Sequence, residues 1–166
     1  MGGLFVIVVA VLIVTVLLVR GVCVVPPSKV FVIERANSFY AEWGEGVHML
    51  IPVIDCVAGR VSLEEQIVEC RPQPFITKDN VTVQINAEIA YQAVNAEKYV
   101  YEINDPAAAV EKLLVSALRS LVGEIKYDDL LCSRGTLDKK LTLVLGQGAD
   151  RWGMKVNNVR IKDIVR

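Results

Sequence analysis

The chain opens on a run with no polar face. Leu4 to Val19 is apolar at every position except Thr15, so a helix over this stretch has no side that water can cover. Crossing a bilayer takes roughly 17 to 25 such residues. Past Arg20 the apolar character resumes as Gly21-Val22-Cys23-Val24-Val25, and an arginine near a helix end snorkels to the headgroups. The pattern predicts one membrane-spanning anchor over residues 3–25, with Leu4, Phe5, Leu12, Leu17, Leu18 and Val19 in the bilayer. A cleaved signal peptide is the poorer account, because nothing basic precedes Leu4 and no small-x-small site follows Val19. Pro26-Pro27 closes the segment, since proline cannot continue a helix.

Beyond the prolines the pattern shortens to strands. Lys29 to Arg35 is β-branched and aromatic, Asn37-Ser38 marks a turn, and Phe39 to Trp43 reads as a second strand. Gly44-Glu45-Gly46 is another turn, and the apolar stretch 47–54 is limited by Pro52 to an edge or loop. Residues 57–70 supply more strand, which Pro72 and Pro74 are expected to break. From Val81 the odd positions Val83, Ile85, Ala87, Ile89, Tyr91 and Ala93 are apolar, while Thr82, Gln84, Asn86 and Glu88 alternate with them. Strict period two means one buried and one wet face, and Thr77 to Asn80 supplies the turn into this strand.

After Asn95 the period changes to that of a helix. Ala96 to Ile103 predicts a short helix, and Asp105-Pro106 the cap and first residue of a longer one. Val110, Leu113, Leu114, Ala117, Leu118 and Leu121 fall on its inner stripe, and Gly123 is expected to end it as a left-handed cap. A second long helix runs from Ser133 to about Trp152, with Leu137, Leu141, Val144, Leu145 and Ala149 inward and Gly153 as terminator. A last strand covers Met154 to Val165. Strands first, helices later and a closing strand indicate an α+β fold. The expected organisation is the anchor, a β-rich membrane-proximal subdomain over 28–95, and an α/β subdomain over 96–166.

Charge and composition narrow the function classes. A net charge of −1 over 166 residues gives no electrostatic footprint for nucleic acid. Cys23, Cys56, Cys70 and Cys132 lack both C-x-x-C spacing and disulfide-framework density, which fits a reducing compartment. Arg20, Lys29 and Arg35 follow the anchor, whereas only the terminal amine precedes it, so the positive-inside rule places the body in the cytoplasm. The chain is thus expected in the membrane, with a single pass.

Catalytic and metal-binding signatures are missing from the sequence. His48 is the sole histidine and sits in an apolar strand or loop, where a structural role is expected. Without a second histidine or clustered cysteines no zinc site forms, and no nucleophile elbow or phosphate-binding glycine loop appears. No catalytic residue, cofactor or metal is expected. Two groups of surface residues do stand out. Phe39, Tyr40 and Trp43, with Met49, Leu50 and Ile51, form an aromatic and aliphatic cluster suited to the membrane–water interface. Glu111, Lys112 and Arg119, with Asp138, Lys139 and Lys140, place charges of both signs on the outer helix faces, where they suit contact with a neighbouring copy.

Taken in order, several motifs carry a resemblance. They are the anchor, Val30 to Arg35, Gly46 to Pro52, Thr77-Lys-Asp-Asn80, Asp105-Pro106, Leu118-Arg119-Ser120, Gly123-Glu124, Asp129-Leu-Leu131, Ser133-Arg134, Ala149 to Gly153 and Ile161-Lys-Asp-Ile164. The chain resembles the stomatin/prohibitin/flotillin/HflK-HflC superfamily, whose common module is the SPFH or band-7 domain, and within it the stomatin-like branch. The resemblance implies a membrane-anchored, non-catalytic scaffold that forms homo-oligomers on membrane lipids. It also implies partners such as membrane proteases of the FtsH type or an NfeD-like protein. A membrane-tethered regulator of a single protease or channel, without ring assembly, is the alternative. The sequence departs from the pattern in Gly146-Gln147-Gly148, in Lys139-Lys140, and in ending at Arg166, where relatives continue into a heptad-bearing helix.

Overall fold

A computed structural model of the chain describes residues 3, 8–12, 21–51 and 54–165. Most of the expected anchor lies outside these residues, although positions 8–12 are helical. No helix among the described residues is long and apolar enough to cross a membrane. The expected end of the anchor at residue 25 is corrected, because Val22–Val25 is a strand, β1. Its β-branched side chains suit an extended backbone as readily as an apolar helix.

The chain divides into two compact units, Met1–Ser62 and Leu63–Arg166. The division expected at residue 95 therefore moves forward to Ser62. The displaced segment supplies two of the three strands of the sheet under the helices, the second of them paired with the last strand, so it belongs with them.

The first unit is built from β1, β2 (Lys29–Arg35), β3 (Ser38–Trp43), β4 (Gly46–Met49) and β5 (Asp55–Ser62). β2 lies between β3 and β5, and β1 pairs with β4 as a separate antiparallel ribbon. Ala36 and Asn37 both take the left-handed conformation, as a tight turn between β2 and β3 requires. Val25, Phe31 and Ile33 form the core on one side, joined by Cys23, Trp43, Leu50 and Val57.

The second unit is a three-stranded antiparallel sheet, β6 (Gln66–Ile76), β7 (Thr82–Ala93) and β8 (Met154–Val165), in that order. Helices α1 (Ala96–Tyr101), α2 (Pro106–Glu124), α3 (Tyr127–Cys132) and α4 (Arg134–Ala149) intervene between β7 and β8. The alternation foreseen in β7 holds: Val83, Ile85, Ala87, Ile89, Tyr91 and Ala93 are all buried. They meet Val110, Leu114, Leu118 and Val122 of α2 and Leu137, Leu141 and Leu145 of α4 in one core.

Several expectations fail for reasons the structure makes plain. Pro72 and Pro74 lie inside β6 and do not end it. β6 is an edge strand, and its register shifts between Cys70 and Gln73, so a bulge absorbs the missing donors. α2 runs through Gly123 to Glu124 and gives way to extended backbone at Ile125, so Gly123 is not a left-handed cap. Val144 is 48% exposed and faces out. Asp105 does cap α2, accepting from the Ala108 amide at 3.1 Å, and Asn95 caps α1 by accepting from Lys98 at 2.9 Å.

The two glycines inside α4 differ in what surrounds them. A Cβ at Gly148 would lie 3.2 Å from Leu113 Cδ1, so this glycine lets α2 approach α4. A Cβ at Gly146 would meet nothing within 4 Å. Gly146→Ala should therefore raise stability by about 0.5–1 kcal/mol through helix propensity alone, while Gly148→Ala should give no such gain. Urea denaturation followed by the helical circular dichroism signal checks both.

Candidate functional site

The surface that sets the first unit apart is its two-stranded ribbon. In the β1–β4 ladder Val22 faces Met49 and Val24 faces Val47, and residues directly opposite in an antiparallel pair share a face. All four are open to solvent, at 52% (Val22), 64% (Met49), 63% (Val24) and 73% (Val47). The alternate positions Cys23 and Val25 turn to the core. A two-stranded ribbon is marginal in water unless a face is covered. Here one face is packed and the other is entirely aliphatic or thioether, immediately after the apolar run of the chain. Ile51 and Ile54, exposed at 46% and 49%, lie in the segment that follows β4.

A polar clamp holds that segment. Arg35 Nε donates to Asp55 Oδ1 at 2.6 Å and Nη2 to Oδ2 at 2.9 Å. The same carboxylate accepts from the Ile51 amide at 3.1 Å, and Leu50 N donates to the Gly21 carbonyl at 2.7 Å. The Arg35 guanidinium lies 3.7 Å over the Tyr40 ring. Arg35 is thus already paired, and it contributes less to a free basic flank than the sequence suggests. Its hydrogen bonds, with that from Ile51, hold the Asp55 carboxyl below the usual carboxylate range. The folded unit then binds fewer protons than the unfolded chain near pH 4, so the stabilisation is complete above the ordinary carboxylate pKa. It is lost as pH falls through the lowered value. Acid titration of thermal stability should show this loss in the native chain and lack it in Asp55→Asn.

The sequence-predicted interface residues divide. Met49 and Ile51 are exposed, as are Phe39 (41%) and Tyr40 (50%). Trp43 and Leu50 instead pack against the core of Val25, Phe31 and Ile33, and Trp43 stacks on His48 with ring centroids 4.9 Å apart. His48 Nε2 lies 3.0 Å from the Gly44 carbonyl, so the histidine serves the β3–β4 turn. Of the anchor residues Leu4, Phe5, Leu12, Leu17, Leu18 and Val19, only Leu12 is among those described, helical and 61% exposed. Val22, Val24 and Val47 escaped sequence reasoning. The signal was available, since Val-x-Val and Val-x-Met flank Cys23 and His48 at period two.

The candidate contact charges also divide. Lys112, Arg119, Lys139 and Lys140 are exposed. Asp138 is not a free surface charge, because it turns inward and accepts from the Ile161 amide of β8 at 3.2 Å. Glu111 is half-buried, close enough to Cys70 to help burial push that thiol up to about 11.

The motifs that carried the resemblance are seen to fasten the second unit. Thr77 Oγ1 donates to the Asp79 carboxylate and accepts from Val81 N at 3.2 Å. Asp79 accepts from Tyr127 N at 3.3 Å and so caps α3 from 48 residues away, while Lys78 N donates to the Ile125 carbonyl at 3.0 Å. Glu69 and Glu88 stand directly opposite on β6 and β7, and Lys162 bridges both carboxylates, reaching Glu88 at 3.1 Å. Like charges opposed across strands destabilise a sheet unless neutralised. A family model for the SPFH domain / Band 7 family matches residues 23–165. The chain belongs to the SPFH, or band 7, family.

Within that family it is 32% identical over 163 residues to an uncharacterized protein of Mycobacterium tuberculosis, covering 98% of this chain and 43% of that protein. It is 32% identical over 140 residues to stomatin-like protein 2, mitochondrial, of Rattus norvegicus, covering 84% of this chain and 40% of that protein. An uncharacterized protein of Methanocaldococcus jannaschii is 28% identical over 148 residues, 89% of this chain and 74% of that protein. The SPFH chain thus spans less than half the length of the first two relatives.

Proposed function

We propose that the chain is a membrane-anchored, non-catalytic scaffold subunit that oligomerises at the bilayer and confines or regulates membrane proteins there. The observation that carries this is the open face of Val22, Val24, Val47 and Met49, which follows directly on the apolar run of residues 4–19. Aliphatic side chains at these exposures gain on the order of 1 kcal/mol each when withdrawn from water. Four of them suffice to orient a unit against lipid, while the apolar run before β1 supplies the anchorage. With Val22–Val25 taken by β1, a membrane span in this reading extends no further along the chain than Gly21.

Confinement to a plane raises the local concentration of the second unit, so modest lateral contacts, in which exposed Lys112, Arg119 and Lys139 meet carboxylates of a neighbouring copy, set the register between copies. SPFH membership supports the scaffold reading, and a membrane protease of the FtsH type or an NfeD-like protein is the kind of neighbour such a scaffold would hold. Amine-reactive cross-linking of the full chain in native membranes tests the proposal. A ladder of homo-oligomers is expected. A single band at monomer mass, or only a one-to-one adduct with another protein, overturns the scaffold.

A further inference from the structure

The second unit holds a cavity of about 310 Å³ that the scaffold role does not use, at the junction of the 77–80 turn, the α2–α3 connection and the start of α4. Lys78, Lys126 and Lys140 line it from these three places, together with Thr136. None of the three ammonium groups forms an ion pair among the described residues. Asp79, the carboxylate nearest in sequence to Lys78, is committed to Thr77 and to the amide of Tyr127, and these bonds together with the nearby Lys126 charge hold its carboxyl below the usual range. The Ser133 hydroxyl is spent on the Asp129 carbonyl and does not cap α4. The backbone that carries two of these side chains is fixed, because Lys78 N is tied to the Ile125 carbonyl beside Lys126.

We infer that this cavity binds a phosphate-bearing anion, held by Lys78, Lys126, Lys140 and Thr136. Lysine is a point-charge donor to phosphate oxygens, and three lysines against two carboxylates leave this lining with a net positive charge. Glu124 and Asp129 line the same space. They offset part of the positive charge and could accept hydrogen bonds from a hydroxyl or ammonium carried next to the phosphate, adding to the binding of the phosphate itself. A soluble phosphate and a lipid headgroup share this chemistry.

Calorimetric titration of the full chain in nonionic detergent separates the sources, with inorganic phosphate in one arm and phosphatidic acid in mixed micelles in the other. Saturable heat is expected in at least one arm. Lys126→Ala and Lys140→Ala should each weaken it roughly tenfold, while Lys155→Ala, an exposed β8 residue outside the cavity, should leave it unchanged. These positions are solvent-exposed, and an unaltered thermal transition in each variant shows that folding is intact. Heat in both arms assigns soluble phosphate, and heat in the lipid arm alone assigns a headgroup. No saturable heat, or equal weakening by Lys155→Ala (an adventitious ion only), overturns the inference.

Discussion

Gly153→Ala should cost the second unit more than about 2 kcal/mol. Gly153 has φ +68°, the left-handed conformation that side chains adopt only under strain. A Cβ there would lie 2.5 Å from the Asn95 carbonyl oxygen and 3.0 Å from the Cβ atoms of Asn95 and Lys98. The two obstacles act together. The backbone at Asn95 cannot withdraw, because the Val94 and Asn95 amides donate to the Gly153 carbonyl at 2.8 and 3.0 Å. One residue thus ends the 3-10 turn Asp150–Trp152, starts β8 and receives the end of β7. Urea denaturation followed at 222 nm should show the midpoint falling with little change in slope. A midpoint within error of the native chain would mean that this contact is dispensable.

Leu141→Ala should destabilise the same unit by about 2–5 kcal/mol. Leu141 is fully buried on the inner stripe of α4, in the core that joins that helix to α2 and the sheet. Truncation removes its transfer free energy and leaves a void that the flanking Leu137 and Leu145, themselves buried, can only partly fill. The exposed neighbour Leu143, at 68%, supplies the contrast: Leu143→Ala should change stability by less than about 0.5 kcal/mol. The difference between the two variants in one denaturation series isolates burial from helix propensity, which they share.

The parts of this fold that depend on local periodicity were legible in the sequence. β2 runs over Lys29–Arg35 as its β-branched pattern indicates, β7 alternates to its end, and Pro106 opens α2 behind an Asp105 cap. The parts that depend on distant partners were not. β1 reads as part of the anchor because Val22 to Val25 is apolar under either period, and only pairing with β4 decides for a strand. α3 has no side-chain cap of its own at Lys126, since Asp79, 48 residues earlier in the chain, supplies it. Pro72 and Pro74 signal a break unless the strand is known to be an edge with a bulge, which is a fact about its neighbours.

The candidate surface follows the same rule. Aromatic residues drew attention to Trp43, yet its ring is needed inside, against His48 and the small core of the first unit. The four aliphatic side chains that face out are individually unremarkable and become a surface only when the ribbon brings them together. The residues that carried the family resemblance likewise hold the second unit in shape: Asp79 as a remote cap, Lys162 between two glutamates, Gly153 at a forced turn.

The central claim is that the β1–β4 ribbon lies against lipid. An environment-sensitive fluorophore on Val47→Cys, in a chain whose four native cysteines are replaced by serine or alanine, reads it directly on reconstitution into phospholipid vesicles. The account predicts blue-shifted emission, quenched by a lipid-soluble nitroxide and protected from iodide. Emission at the aqueous wavelength with full access to iodide would contradict it.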